Sequence, residues 1–445
     1  MHARPARPPP RARARPARLR TAPQRGAAAL VVVMVLFFVV AMVAAYTARN
    51  LVFEQRTSAN QLRATQAFEA AEAGLDWALT MLNGGRVDAA CLPHTDPATL
   101  DETFRQRHLA IAVATGAITA RQRSTGEPLR PGCVFDGSRW QCSCPADAAP
   151  SLSAPAGAGP FPAFAVRLFS DPGLPPGLVR IESTGCTRFD ATEVCRADAE
   201  VGDGVARLTV LAALRGALIS APVAALTVRG DLNLGSDLLV AANRERATGG
   251  YTLHVGGALS GTPLALHGPA GTPAAQTIID EPAAGPMAAL SAERMFASVF
   301  GLVHATYRLQ PAAITLDCAA AGCSAATLRD TARLNPGRML WIGGNLVLDV
   351  ADPIGSTTDP VVLVVTGGIE VPAGAAAQVR GLVYAQGSAL ASDGTLTVLG
   401  ALVTEQSLAL SGAGSTTIDY RGDLLARLRT TQGSFVRVPG SWRDF

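Results

Sequence analysis

Hydrophobic and polar positions change their period several times along this chain, and each change marks an element. Between Arg25 and Arg49 the run GAAALVVVMVLFFVVAMVAAYTA carries no charge. The 22 residues from Ala27 to Ala48 rise roughly 33 Å as an α-helix, enough to cross a hydrocarbon core of about 30 Å. No proline interrupts the next stretch. Leu62, Phe68, Ala71, Leu75, Leu79 and Leu82 recur at threes and fours, the spacing of one helical face, while Arg56, Arg63, Glu69, Glu72 and Asp76 take other positions. The pattern predicts one helix from Ala27 to Asn83, 57 residues and on the order of 85 Å long. A left-handed cap at Gly84-Gly85 would end it.

From Cys91 to about Gly216 the period shortens to two. The runs HLAIAVA, CVFDGSRWQC, FAVRLF, LVRIEST and ARLTVLAAL lie between Pro- and Gly-rich turns, which predicts an antiparallel sheet with one apolar face. The amphipathic helix from about Gln55 to Leu82 supplies its cover. Residues 146–163, ADAAPSLSAPAGAGPFPA, are too small and proline-rich for a core strand and read as a surface loop. From Pro222 onward short β-prone runs meet glycines, as in VRGDLNL at 228, VGGALSG at 255, IGGNLVL at 342 and TGGIEVP at 366. GLVYAQGSALASDG at Gly381 and GALVTEQSLALSGAG at Gly400 align at a separation of 19 residues. A period near 20 of strand, turn and strand fits the coils of a β-solenoid; a β-sandwich of similar hairpins is the alternative. MAALSAERMFASVF, with Leu290, Phe296, Val299 and Phe300 on one face, predicts a helix over 287–301.

The expected class is α+β. A basic leader (1–26) precedes a long N-terminal helix (27–85, transmembrane over 27–48). A central antiparallel β-sheet region (86–218) and a C-terminal β-solenoid-like, or β-helix, domain (219–445) come after it.

Charge gives the span a direction. Residues 1–26 hold eight arginines and no acid, and the rest of the chain has thirty arginines against thirty-five acids. A basic head before an apolar helix stays on the cytoplasmic side and orients the helix outward. The expected topology is a single pass with everything after Arg49 outside the cytoplasm. The head is Pro- and Ala-rich and lacks aromatics, which argues against nucleic acid as its partner. A cleavable secretory signal has a shorter apolar region, so AYTA before Arg49 is the weaker processing site.

Eight cysteines agree with an oxidising compartment. Cys186 and Cys195 bracket CTRFDATEVC, and Cys318 and Cys323 bracket CAAAGC; Cys91, Cys133, Cys142 and Cys144 leave three pairings open. Zinc at Cys133, Cys142 and Cys144 is the competing reading, but WQCSC has one residue between its cysteines where zinc knuckles use two to four.

Catalytic motifs do not surface. The chain has no G-x-S-x-G, G-x-x-x-x-G-K or H-E-x-x-H. His254 and His267 are expected as turn or face residues. Asp231, Asp237, Asp349 and Asp352 beside glycine corners fit no calcium loop and read as solvated turn residues. No catalytic residue, metal site or cofactor is expected.

The segment QRGAAALVVVMVLFFVVAMVAAYTARNLVFEQRTSANQLRATQAFEAAEAGLDWAL resembles the N-terminal domain of PilX-type minor pilins of the type IV pilus. The parts that carry the resemblance are Gln-Arg-Gly before the apolar run, Glu54, Arg56 and Asn60, and AF-x-AAEAGL from Ala67 to Leu75. RIESTGC, MFASVFG, PVVLVV, GLVYAQG and GALVTEQ look, more loosely, like the extended β-rich body of large members. The resemblance implies that prepilin peptidase cuts after Gly26 and that Ala27 becomes a methylated N-terminus. It also implies that the membrane is a bacterial inner membrane, with other pilins and the inner-membrane pilus assembly machinery as partners. Major pilins usually place a glutamate at the fifth mature residue; here that position is Val31. The departure removes a charge thought to dock neighbouring subunits, and suits a priming or tip subunit added once.

The sequence therefore points to assembly, with the stem burying among other stems through Leu30, Val33, Leu36, Phe37 and Val40 and the β-rich head facing a surface or adhesion ligand. Three alternatives stand beside it: a type II secretion pseudopilin of the GspK kind, whose inserted domain is largely helical; a membrane-anchored β-solenoid adhesin outside any filament; and a polysaccharide-active enzyme.

Overall fold

A computed structural model describes residues 25–157, 159, 161–196, 203–281, 285–318 and 322–444. The chain divides into two units, residues 1–61 and 62–445. Helix α1 (Arg25–Leu82) is a single element of 58 residues, and its apolar portion from Ala28 onward is long enough to cross a membrane.

Within the second unit, the end of α1 lies on a six-stranded antiparallel sheet built from β1 (Gly132–Phe135), β2 (Trp140–Ser143), β3 (Ala163–Phe169), β4 (Leu178–Cys186), β5 (Val205–Gly216) and β6 (Gly433–Arg437). Their order is β6-β5-β4-β3-β1-β2. The helix buries Ala67, Ala70, Ala71, Gly74, Leu75, Ala78 and Leu82. This corrects the expected seam: Leu62 is 59% exposed and Phe68 and Leu79 are half-buried. Small residues win because the backbones approach closely. A Cβ on Gly185 of β4 would stand 2.2 Å from the carbonyl oxygen of Ala67 and the amide of Ala71, so only glycine fits there. Leu75, Ala78 and Leu82 then meet Phe104, Phe164, Ile181, Leu208 and Phe435 in one core.

The cap at the end of α1 also differs from expectation. Neither Gly84 nor Gly85 is left-handed. Instead Asn83, 6% exposed, turns its side-chain amide back to the Leu79 carbonyl at 2.9 Å. A short helix α2 (Phe104–His108), closed by a Thr103–Gln106 capping box, and a two-stranded hairpin, Leu109–Ile111 with Ile118–Ala120, complete this body.

The expected 86–218 region is not self-contained. Strand β6, from the C-terminal end, pairs antiparallel with β5, Gly433 opposite Gly216. Residues 217–432 therefore leave and return at adjacent strand ends. They form two parallel sheets, of eleven and seven strands. Gly381 pairs with Gly400 within a ten-residue register running from Ala376–Thr395 to Ala385–Thr404, the 19-residue offset seen in the sequence. Both glycines have φ near +140°, and a Cβ on Gly400 would stand 1.9 Å from the Gly381 carbonyl oxygen. The chain can turn this corner only without a side chain.

The order of strands in these sheets does not follow the chain. Ala224–Val228 pairs with Tyr251–Val255, which pairs with Ile278–Asp280. The chain then crosses through α3 (Ala292–Phe300) and α4 (His304–Arg308) to Ala313–Asp317. From there it steps through Met339–Gly343, Val361–Val365 and Ala376–Ala385 back to Thr395–Thr404. That strand seats Leu402 against Leu226, so the first and last segments of the head are neighbours. The expected 287–301 helix begins later, at Ala292, because Ser291 accepts from the Arg294 amide as its N-cap. Its Phe296 and Phe300 pack with Tyr307 and Tyr384 at centroid distances of 4.6 to 5.3 Å. Helix α5 (Ala325–Leu334) and helix α6 (Gly422–Thr430) complete the head.

Candidate assembly surfaces

A rod of apolar side chains dominates the first unit. Leu30, Val31, Val33, Leu36, Phe37 and Val40 are all more than half exposed, up to 74% for Phe37. Apolar side chains left bare over a whole helix belong in lipid or against other helices, since water would penalise each by about 1.5–3 kcal/mol. Val31 stands among them as one more apolar residue. Gly26 and Ala27 lie within the helical backbone of α1; the leader before Arg25 lies outside the described residues.

At the other end of α1 two side chains join the stem to the head's returning strand. Asn83 donates to the Phe435 carbonyl at 2.9 Å and accepts from the Phe435 amide at 2.8 Å, behaving like one residue of a neighbouring strand. Arg105, 7% exposed, donates to the last carbonyl of α1, Leu82, at 3.0 Å and to Gly433 at 2.7 Å. Its guanidinium sits 4.9 Å from the centroid of the Phe435 ring. Burial, helped by nearby Arg338, pushes its pKa down to about 10. No pattern in the sequence marks this pair: an asparagine after a helix reads as an ordinary cap, and one arginine among many reads as surface.

All eight cysteines are bridged. Cys91 joins Cys144 and Cys133 joins Cys142, which settles the open pairings; Cys186–Cys195 and Cys318–Cys323 bond as bracketed. Cys133 and Cys142 stand directly opposite in the β1–β2 ladder, so the hairpin register makes that bond.

The acids and histidines singled out in the head make separate local contacts. Asp231 accepts from the Ala258 amide and Asp349 from Ala325, while Asp352 pairs with Arg329 at 2.8 Å. Asp237 corrects the solvated-turn reading: it is 5% exposed and accepts from the Thr416 hydroxyl at 2.7 Å, tying the first segment of the head to the last. Burial raises its pKa. His254 lies 2.9 Å from Glu281, and His267 is exposed at the end of its strand. A buried cluster has no counterpart among the sequence expectations. Glu405, 4% exposed, meets His304 at 2.8 Å and accepts from the Tyr384 hydroxyl at 3.0 Å. Burial first, then the adjacent Glu405 carboxylate, drives the Tyr384 pKa well above its ordinary value. The cluster clamps α4 to the strands, and no group of three or more metal-ligating side chains occurs among the described residues.

Comparison with known proteins bears on α1. A family model described as PilX N-terminal matches residues 25–76. No curated protein matches. Among solved structures, the crystal structure of the competence-associated pilin ComZ from Thermus thermophilus is similar at 12% identity, covering 86% of this chain and 98% of that one, with a TM-score of 0.20. So low a score carries no argument about the head. Over residues 25–76, then, the chain is similar to the PilX N-terminal family.

Proposed function

We propose that the protein is a minor pilin of a type IV pilus, added at priming or displayed at the tip. The observation that carries this is the family match over residues 25–76, which takes in both the apolar rod and the start of the small-residue seam. In this reading prepilin peptidase cuts after Gly26, Ala27 is methylated, and Ala27–Ala48 anchors in the inner membrane with the arginines held cytoplasmic. Leu30, Val33, Leu36, Phe37 and Val40 then exchange lipid for the stems of other pilins, and the pilus assembly machinery is the partner. Val31 leaves no buried carboxylate to satisfy, which suits a subunit placed once.

The head is read as a β-solenoid held between β5 and β6. Its parallel registers and glycine corners support that reading, and so large an insertion suits display rather than a repeating lattice. A GspK-type pseudopilin is the second reading; the strand-rich character of residues 217–432 disfavours it. The role is structural rather than enzymatic.

The deciding measurement is the mass of the N-terminal peptide of the protein purified from its own cells. A chain beginning at methylated Ala27 is expected. One beginning at Met1 or Arg49 refutes the pilin assignment.

A further inference from the structure

Outside residues 1–26 the chain is net acidic, with thirty arginines against thirty-five acids, yet one region reverses this locally. Two clefts, of about 320 and 310 Å³, share Pro336 and Asp359 as a common wall. The first is lined by Arg105, Arg121 and Arg427, the second by Arg86, Arg333 and Arg380, and among the described residues Asp359 is the one acid lining either. Each cleft joins residues of the antiparallel body to residues of the head.

Most of these arginines are already engaged. Arg105 is spent on backbone carbonyls, and Arg86 donates to the Arg333 carbonyl at 2.7 Å and to that of Asp101. Arg121 lies 3.6 Å from Glu102 and Arg333 3.9 Å from Asp352, both loose pairs. The half-buried side chains of Arg380 and Arg427 have neither an ion pair nor a hydrogen bond among the described residues, and the Nε of Arg380 is sealed from solvent without a partner. A half-buried guanidinium without a carboxylate partner keeps its donors free for an anion entering the cleft.

We propose that these clefts form an anion-binding site for carboxylate side chains of an acidic segment of another protein. Asp359, which accepts from Gln106 Nε2 at 2.9 Å, is the internal carboxylate the segment would supplement. Two features favour a peptide over nucleic acid. Among the described residues no aromatic side chain lines either cleft, so bases would have no stacking platform there. The clefts are also small and separate, fitting one or two carboxylates each rather than a continuous phosphate backbone. The site does not depend on the pilin reading.

The test uses the full chain in zwitterionic lipid nanodiscs with fluorescent hexaglutamate as probe, and inorganic phosphate and a dodecathymidylate as competitors. Arg380→Gln/Arg427→Gln removes no side-chain hydrogen bond among the described residues, so folding should hold, checked by circular dichroism. Saturable, salt-sensitive binding that weakens about tenfold in this variant supports the site. So does tightening in Asp359→Asn, which takes away the internal competitor. Substituting Arg7 and Arg11 with Gln should leave binding unchanged. Binding that survives the cleft variant, that is lost with the leader arginines, that is absent in wild type, or that is displaced from the cleft more readily by the oligonucleotide than by unlabelled hexaglutamate overturns the proposal.

Discussion

Asn83→Ala is the sharpest probe of how stem and head are joined. Strand β6 pairs with β5 on one edge; on its other edge, at Phe435, the Asn83 amide takes the place of a strand. Truncation leaves the Phe435 N–H and C=O without partners in a core where Phe435 is 1% exposed. Each buried group left unsatisfied costs about 1–3 kcal/mol, and some relaxation is allowed by the loss of the side chain. A net destabilisation of about 2–4 kcal/mol results, a large share of the 5–15 kcal/mol typical of a folded domain. The assay is denaturant unfolding of the full chain in a mild detergent, read beside hydrogen exchange at the Phe435 amide. Exchange there should speed up by roughly 30-fold or more, since every 1.4 kcal/mol is tenfold. Asn83→Asp keeps the acceptor for the amide but sets a charge against the Phe435 carbonyl, and should fare no better than alanine. A change under about 0.5 kcal/mol with unaltered exchange would refute the idea that this amide closes the strand edge.

Three further predictions test other parts of the fold. His108 is buried with its Nδ1 against the Phe104 carbonyl and its Nε2 unpartnered; burial lowers its pKa to about 4, against the opposing hydrogen bond and helped by Arg107 and Arg121. It stays neutral in the folded chain, so the stability it permits is intact above about pH 6.5 and is lost as pH falls toward 4, by about 3 kcal/mol at 1.36 kcal/mol per unit; unfolding measured against pH should show this slope in wild type and lose it in His108→Gln. Gly400→Ala puts a Cβ 1.9 Å from the Gly381 carbonyl and should cost at least about 2 kcal/mol, seen as a lower unfolding midpoint, whereas an unchanged midpoint would contradict the corner geometry. Ser183 is fully buried with its hydroxyl unpartnered beneath α1, so Ser183→Ala should raise the midpoint by the equivalent of about 1 kcal/mol, and a lower midpoint would mean the hydroxyl has a partner.

What the sequence reveals and what it hides divide along a physical line. A span of uncharged residues needs only its own neighbours to be recognised, and so do the bracketed cysteines and the Gly381–Gly400 offset, because strands one turn apart repeat the same local constraints. Hydrophobicity alone misplaces the seam of α1, because the closeness of β4 to the helix selects alanine and glycine. Pairings between distant segments leave no local trace. Leu402 lies beside Leu226 across 176 positions of sequence, and β6 lies beside β5 across the whole head; an alternating run such as SFVR looks the same whichever strand it joins. These hidden pairings share one consequence. A head whose first and last segments are adjacent can be inserted between two neighbouring strands without altering the sheet that holds it. The body must then secure the returning strand, and Asn83 does so from the end of the stem and Arg105 from α2. The arginine clefts lie where those same two parts meet, assembled from positions between 86 and 432 that have no common motif. An acidic partner seated there would brace the junction that the insertion makes necessary, which predicts that bound hexaglutamate slows exchange at Phe435 in wild type but not in Arg380→Gln/Arg427→Gln.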